Sequence, residues 1–357
     1  YYFEYQKYTN EIKKEVGIIH NKKNINDTDS NNIFIASKKL NWKIDYCQRF
    51  ISEKKITKKT CPVGDSSCDI FDCDVHEKQS MNVTYLKNSI KNDKLLCNFK
   101  VVKIFIKNGS AKSIIAINQK NNQKIEISFK KIFINCGPIN SYGLLKKNKL
   151  LDTNLSNAEY FEFHLNFKII VKFNFKVNFN LSKSSSFFMR EFEDEGVLFS
   201  TSNSQIPYLL ASLSHYDAQT LKDIIKNYHL YSMYIYQIKS YSKGKVINSL
   251  GSSFVRYFFD ERDYLQLQLA IKRISKLFAE LGAEIILFPI SNKGLVKSSK
   301  EAFDLSNNFN PKDLHLISVH GMSTLRPSNN ELLGHTDLFG KLNNFNNIFI
   351  NDASIIQ

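Results

Sequence analysis

The sequence predicts a mixed fold, part α/β and part α+β, and three features predict it. Short strands at residues 96–134 end in a Gly-Pro break that leads into a helical stretch. A period-two alternation runs through residues 163–179. An amphipathic helical pattern over 265–281 is followed at once by another apolar run. A chain of 357 residues, 43% of them hydrophobic, can bury a substantial core, and its length favours two domains over one.

Taken in order, residues 1–60 are rich in Lys and Asn, and 21–32 is a polar stretch expected to form a loop. Residues 96–106 read as a strand, Lys107-Asn108-Gly109-Ser110 as a tight turn, and 113–117 as the returning strand. Asn-Gly tolerates the positive φ that such a turn requires. Residues 125–129 and 132–134 continue the series, Gly137-Pro138 breaks it, and 140–145 reads as the first turns of a helix.

From Phe163 to Phe179 every second residue is apolar, and Ile170 is the exception among the polar residues between them. This spacing predicts extended structure in an antiparallel sheet, one face buried and one wet. After Asp260, apolar residues from Leu265 to Leu281 fall three or four apart, with Gly282 where a C-terminal cap would stand. Residues 283–289 then read as a strand packed with that helix.

The formal charge of +15 raises the possibility of a nucleic-acid partner. Yet 43 of the cations are lysines, spread along the chain among 38 asparagines, with only six arginines, a pattern of biased composition; no nucleic-acid binding is expected. No run of about 18 apolar residues is present, so no transmembrane segment is expected. The polar first thirty residues show no secretory signal, and six cysteines in so long a chain make no disulfide framework. Reduced thiols and a cytoplasmic location are the expectation. The grouping Cys68-x4-Cys73-x2-His76 departs from the tight C-x2-C knuckle of structural zinc, so no metal site is expected. The chain opens at Tyr1 and stops at Gln357 inside what reads as structured sequence, as a fragment would.

The residues with chemistry to offer lie towards the C-terminus. His320-Gly321-Met322-Ser323-Thr324-Leu325-Arg326 is followed by Asp337-Leu338-Phe339-Gly340-Lys341-Leu342, and then by Asn347-Ile348-Phe349-Ile350-Asn351-Asp352-Ala353-Ser354. In that order they resemble the H-P-x-G-T-x-R, D-x-x-G-x-x and n-L-y-V-x-D-A-S elements of the glucose-methanol-choline (GMC) oxidoreductases. Upstream, residues 78–86 (KQSMNVTYL) are similar to that family's K-x-S-x-x-x-x-Y-L stretch. Residues 132–145 (IFINCGPINSYGLL) are similar to its V-I-L-A-A-G-A-I-x-S-P-x-L-L strand and turn. The resemblance covers residues 68–150 and 250–357.

It implies an incomplete FAD/NAD(P)-binding (Rossmann-like) domain and an antiparallel-sheet substrate domain with helices, like the C-terminal domain of FAD-linked reductases. The implied organisation is 1–150 as the partial FAD-binding domain, 151–310 as the substrate domain, and 311–357 as a return to the first. It further implies FAD as cofactor and an oxidoreductase acting on the CH-OH group of a small-molecule alcohol, with an unknown electron acceptor. By position, His320 is the catalytic base, an imidazole being suited to removing a hydroxyl proton near neutral pH. Val101 takes the hairpin place that binds adenine through its backbone. Cys136 and Gly137 take the turn that lies against the dinucleotide, and Asp352 and Ala353 the segment under the ribityl chain and diphosphate. His76, His164, His315 and His335 fall off the family's histidine position and read as structural or exposed.

Departures are equally legible. Gly321, Ser323 and Leu325 replace the usual Pro, Gly and Cys, and no G-x-G-x-x-G occurs in the chain. A second reading is therefore a non-catalytic binding or assembly protein that retains the fold without the cofactor motif.

Overall fold

A computed structural model of the chain describes residues 2–17, 19–20, 28–49, 79–81, 83–90, 93–152, 161–177, 187–202, 206–249, 252–291 and 293–356. The zinc grouping Cys68, Cys73 and His76, and Lys78 of the upstream resemblance, lie outside the described residues. Two compact units emerge. The first comprises residues 1–94, 165–238 and 265–317, the second 95–164, 239–264 and 318–357.

The first unit is built on a seven-stranded sheet. Its order is Leu295–Val296, Ile285–Leu287, His164–Lys172, Tyr231–Lys239, Val197–Thr201, Phe187–Met189 and Ile44–Tyr46. Neighbours such as Ile285–Leu287 and His164–Lys172 run antiparallel. The period-two alternation forms its third strand, but the strand stops at Lys172, and Phe173–Val177 already leave the sheet. Nor is one face wet: Asn166 and Ile170 are buried along with Leu165, Phe167 and Ile169. An interior strand has both faces available for covering, and one polar residue in two proved compatible with that. Helix Glu261–Ala279 packs Phe278 against Tyr234, Phe173 and Phe199, with ring centroids 4.6, 6.1 and 6.1 Å apart. Gly282, at φ +65°, follows it as the cap pattern requires.

The loop expected over 21–32 is corrected in its second half, where a helix runs Thr28–Lys39. Ile33 and Ala36 supply a short apolar stripe, and the buried polar residues Asp29 and Ser30 are bonded to the sheet through Ser232 and Thr201. Hydrogen bonding makes burial of such residues tolerable, which composition by itself does not reveal.

In the second unit, strands Phe99–Lys107, Ser110–Asn118 and Lys124–Ser128 form an antiparallel sheet. Asn108 and Gly109 take φ of 49° and 67° in the first turn. Strand Ile132–Ile134 pairs in parallel with Ile348–Ile350, and helix Pro138–Lys147 leaves from the Gly137 turn. A hairpin, Lys243–Ser249 with Ser252–Phe258, lies against that helix. There Asn248 donates to the carbonyl of Gly143 at 3.2 Å, and a Cβ on Gly143 would stand 2.2 Å from Ser253 Oγ.

Candidate functional site

The second unit gathers most of the residues singled out above. Cys136 and Gly137 follow strand Ile132–Ile134 at its C-terminal end, and Asp352 and Ala353 follow the parallel strand Ile348–Ile350 at the same end. Parallel pairing therefore brings the two loops side by side. Asp352 Oδ2 accepts the Gly137 amide at 2.9 Å and the Ser141 hydroxyl at 2.5 Å. Its other oxygen accepts the Ser354 amide at 2.8 Å, capping the short turn Ala353–Ile355.

The segment carrying His320 runs alongside. Ser323 donates its amide to Ala353 O at 3.1 Å, Leu325 donates to Ser354 O at 2.9 Å, and the Thr324 hydroxyl donates to Pro138 O at 2.8 Å. Arg326 is bound at 2.5 Å to Glu162, whose other carboxylate oxygen accepts the Ser323 hydroxyl at 2.9 Å; Lys243 adds an ion pair at 3.2 Å. Burial pushes the Glu162 carboxyl upward, but the Ser323 hydrogen bond and the charges of Arg326 and Lys243 prevail and hold it below its ordinary value. Glu162 and Met322 also exchange backbone hydrogen bonds at 3.0 and 2.8 Å.

His320 lies exposed, and its Nδ1 is 3.3 Å from Nδ1 of His164. His164 was read from sequence as structural or exposed; the fold puts it against the predicted base. Burial first, then His320 and Lys239, lower its pKa. His315 stacks on His215 at 4.0 Å in the first unit and bonds the Ser291 hydroxyl at 2.6 Å. His335 is buried, its ring 6.5 Å from that of Tyr142.

Val101 faces Ala116, half-buried, in a sheet linked to the helix that follows the Cys136–Gly137 turn. The link runs through Asn148, which accepts the Ile104 amide at 2.9 Å and donates to Leu144 O at 2.9 Å, tying the sheet to helix Pro138–Lys147. Cys136 is exposed at the turn. Partial desolvation, then the Asp352 charge, raise its thiol pKa, so it stays protonated and weakly nucleophilic at neutral pH.

A bound dinucleotide needs bare backbone at such an edge, and Gly137 supplies it. Its φ is +80°, and nothing stands within 4 Å of where a Cβ would be. The residues present fit one side of such a group. Among the described residues, no three His, Cys, Asp or Glu side chains cluster to hold a metal, and no helix is long and apolar enough to cross a membrane.

The sequence profile of the GMC oxidoreductase family matches residues 1–155. An uncharacterised GMC-type oxidoreductase of Sinorhizobium fredii is 23% identical over 333 residues, covering 90% of this chain and 62% of its own length. The profile over residues 1–155 and this relative support membership of the GMC oxidoreductase family. An uncharacterised GMC-type oxidoreductase of Mycobacterium tuberculosis is 29% identical over 113 residues, 32% of this chain and 18% of that protein. The chain thus spans less than two thirds of the curated relatives it matches. Among solved structures, pyridoxine 4-oxidase from Mesorbium loti aligns with a TM-score of 0.60 and 15% identity over 95% of this chain and 66% of that one. Formate oxidase of Aspergillus oryzae aligns at 0.57 and 11%, over 95% and 68%. At these identities they establish a shared fold, that of FAD-dependent GMC oxidoreductases.

Two of the departures from the GMC histidine motif have physical reasons. Ser323 holds φ +71°, the left-handed conformation for which the family uses Gly, and its single hydroxyl proton is shared between Glu162 Oε2 at 2.9 Å and Ile356 O at 2.6 Å. At Gly321, where the family has Pro, the Phe161 ring comes within 2.5 Å of the place a Cβ would take. Gly340, of the D-x-x-G turn, holds φ +77° with Ile350 O 2.5 Å from its would-be Cβ, so the GMC glycine is required there.

Proposed function

We propose that this chain is the larger part of an FAD-dependent oxidoreductase that oxidises the CH-OH carbon of a small alcohol, with His320 as the base. The observation that carries the reading is the convergence of the Gly137 turn, the Asp352 cap and the His320 segment, joined by the Gly137–Asp352, Ser323–Ala353 and Thr324–Pro138 hydrogen bonds. When bound, FAD supplies the two-electron acceptor for the hydride. His320 accepts the hydroxyl proton, which favours loss of hydride from the same carbon. Gly137 offers bare backbone to the dinucleotide, while Asp352 holds that turn in place. Glu162 and Arg326 fix the segment carrying the imidazole, so that its position is set before substrate arrives. The 357 residues hold flavin weakly and are inactive by themselves, because no G-x-G-x-x-G turn is present to seat the diphosphate.

The test is a visible spectrum of the purified gene product, expressed together with its flanking coding sequence. Oxidised flavin bands that bleach anaerobically on adding an alcohol are expected. A colourless product that stays colourless after incubation with FAD would assign the chain to a binding or assembly role.

A further inference from the structure

His164 lies two residues after Glu162 and His320 two before Met322, on the same side of the Glu162–Met322 backbone bridge, so antiparallel register sets them opposite one another. The geometry follows from the main chain: Phe163 and Leu165, flanking His164, are both buried, and Ser323 and Arg326 anchor the other segment to Glu162. Two neutral imidazoles at an Nδ1–Nδ1 separation of 3.3 Å share one proton, one ring donating and the other accepting.

We propose that His164 is a positioning residue for the reaction proposed above: its Nδ1 accepts the Nδ1–H of His320, which fixes the tautomer that leaves His320 Nε2 as the base. The direction of the bond follows from the surroundings. His164 is the ring that burial and the cations beside it disfavour as imidazolium, so it remains the neutral acceptor when His320 gains a proton. In the alcohol oxidation, the hydroxyl proton moves to His320 Nε2, the hydride leaves the carbon for the two-electron acceptor that bound FAD would supply, and the carbon–oxygen bond becomes a carbonyl. The Nδ1–H stays on His320 throughout, and no proton passes to His164. The bond between the two rings does for His320 what a second-sphere acceptor commonly does for a catalytic imidazole, selecting which nitrogen is free.

The inference rests on the alcohol-oxidising role proposed for His320, but its first test does not need flavin. In the 357-residue chain labelled with 15N-histidine, long-range 1H–15N spectra at pH 8 are expected to show His320 as the Nδ1–H tautomer. His164→Phe is expected to convert it to mainly Nε2–H, and His164→Asn, whose Oδ1 can stand near the lost Nδ1, to retain Nδ1–H. An Nε2–H tautomer at His320 in the unsubstituted chain overturns the proposal without recourse to any variant. In flavin-loaded protein, His164→Phe should slow substrate-driven bleaching roughly 10- to 100-fold, with most of the rate returned by His164→Asn. Equal rates in the two variants also overturn it. An Nδ1–H tautomer in this chain, together with a gene product that binds no flavin even when expressed with its flanking coding sequence, would sink the oxidoreductase reading while leaving the assignment of the ring pair intact.

Discussion

Asp352 accepts the backbone amide of Gly137, 215 positions away in the chain, at 2.9 Å. One carboxylate thus closes the turn after strand Ile132–Ile134 onto the turn after its parallel neighbour, while capping its own short helix. The aspartate of the D-A-S element has a structural duty in this chain, whatever it touches in a loaded protein.

Asp352→Ala should therefore destabilise the second unit. The Gly137 amide, the Ser141 hydroxyl and the Ser354 amide lose a charged acceptor, at a cost of about 2–3 kcal/mol. A lower urea midpoint with faster hydrogen exchange at Gly137 and Ser354 is the expected result; an unchanged midpoint would show the carboxylate to be dispensable to the fold.

His320→Ala, made in a flavin-loaded protein, should leave the flavin content unchanged and slow bleaching by alcohol about 10²- to 10⁴-fold, the usual contribution of a general base. Stopped-flow absorbance measures it directly. Bleaching at the original rate would remove His320 from the chemistry.

Lys168 projects from the strand His164–Lys172 to the Ser202 hydroxyl at 2.6 Å, and burial lowers its pKa to about 8. The unfolded chain binds this proton more tightly than the folded one, so the folded state carries a penalty at pH 7 that fades as pH rises from about 8 towards 10.5. Lys168→Met should raise stability at pH 7 by roughly 1–3 kcal/mol and flatten the alkaline rise. Chemical denaturation at pH 7 and 9 checks both.

His215 supplies the acid-side counterpart. Burial first, then its stacked neighbour His315, lower its pKa to about 4, against an opposing hydrogen bond to the Phe288 backbone. As pH falls below about 6.5 the unfolded chain takes up the proton first, so stability is full above that value and declines down to about 4. Glu162, held below its ordinary value of 4.5, acts at lower pH, whereas His164, whose pKa burial also lowers, adds to the decline in the same window. His215→Gln should make the thermal midpoint less sensitive to pH between 7 and 5; an undiminished slope would place the acid sensitivity elsewhere.

Legibility of the chain followed the range of the interactions. The Asn108-Gly109 turn and the helix Glu261–Ala279 with Gly282 after it are written in local spacing, the Gly340 turn in the resemblance to the GMC motif, and each stands where it was expected. Helix Thr28–Lys39 escaped because its buried residues include Asp29, Ser30 and Ser37, whose burial depends on a sheet assembled from distant sequence. The strand His164–Lys172 was visible, but its covered second face was not, since alternation reports side-chain polarity and not what packs above it. His164 escaped for the same reason. Its partner is 156 positions downstream, and the alternation placed it simply among the polar positions of a strand.

The parallel pairing of Ile132–Ile134 with Ile348–Ile350 also sets a timetable. A ribosome adding about 5–20 residues per second needs roughly 10–40 s to make the chain that separates such partners. Through that interval the earlier strand is an open hydrogen-bonding edge, the kind of surface through which nascent chains stick to one another. Lys130 and Lys131 immediately before it and Asn135 immediately after are suited to guard it, charge and polarity discouraging a wrong neighbour until the right one is synthesised.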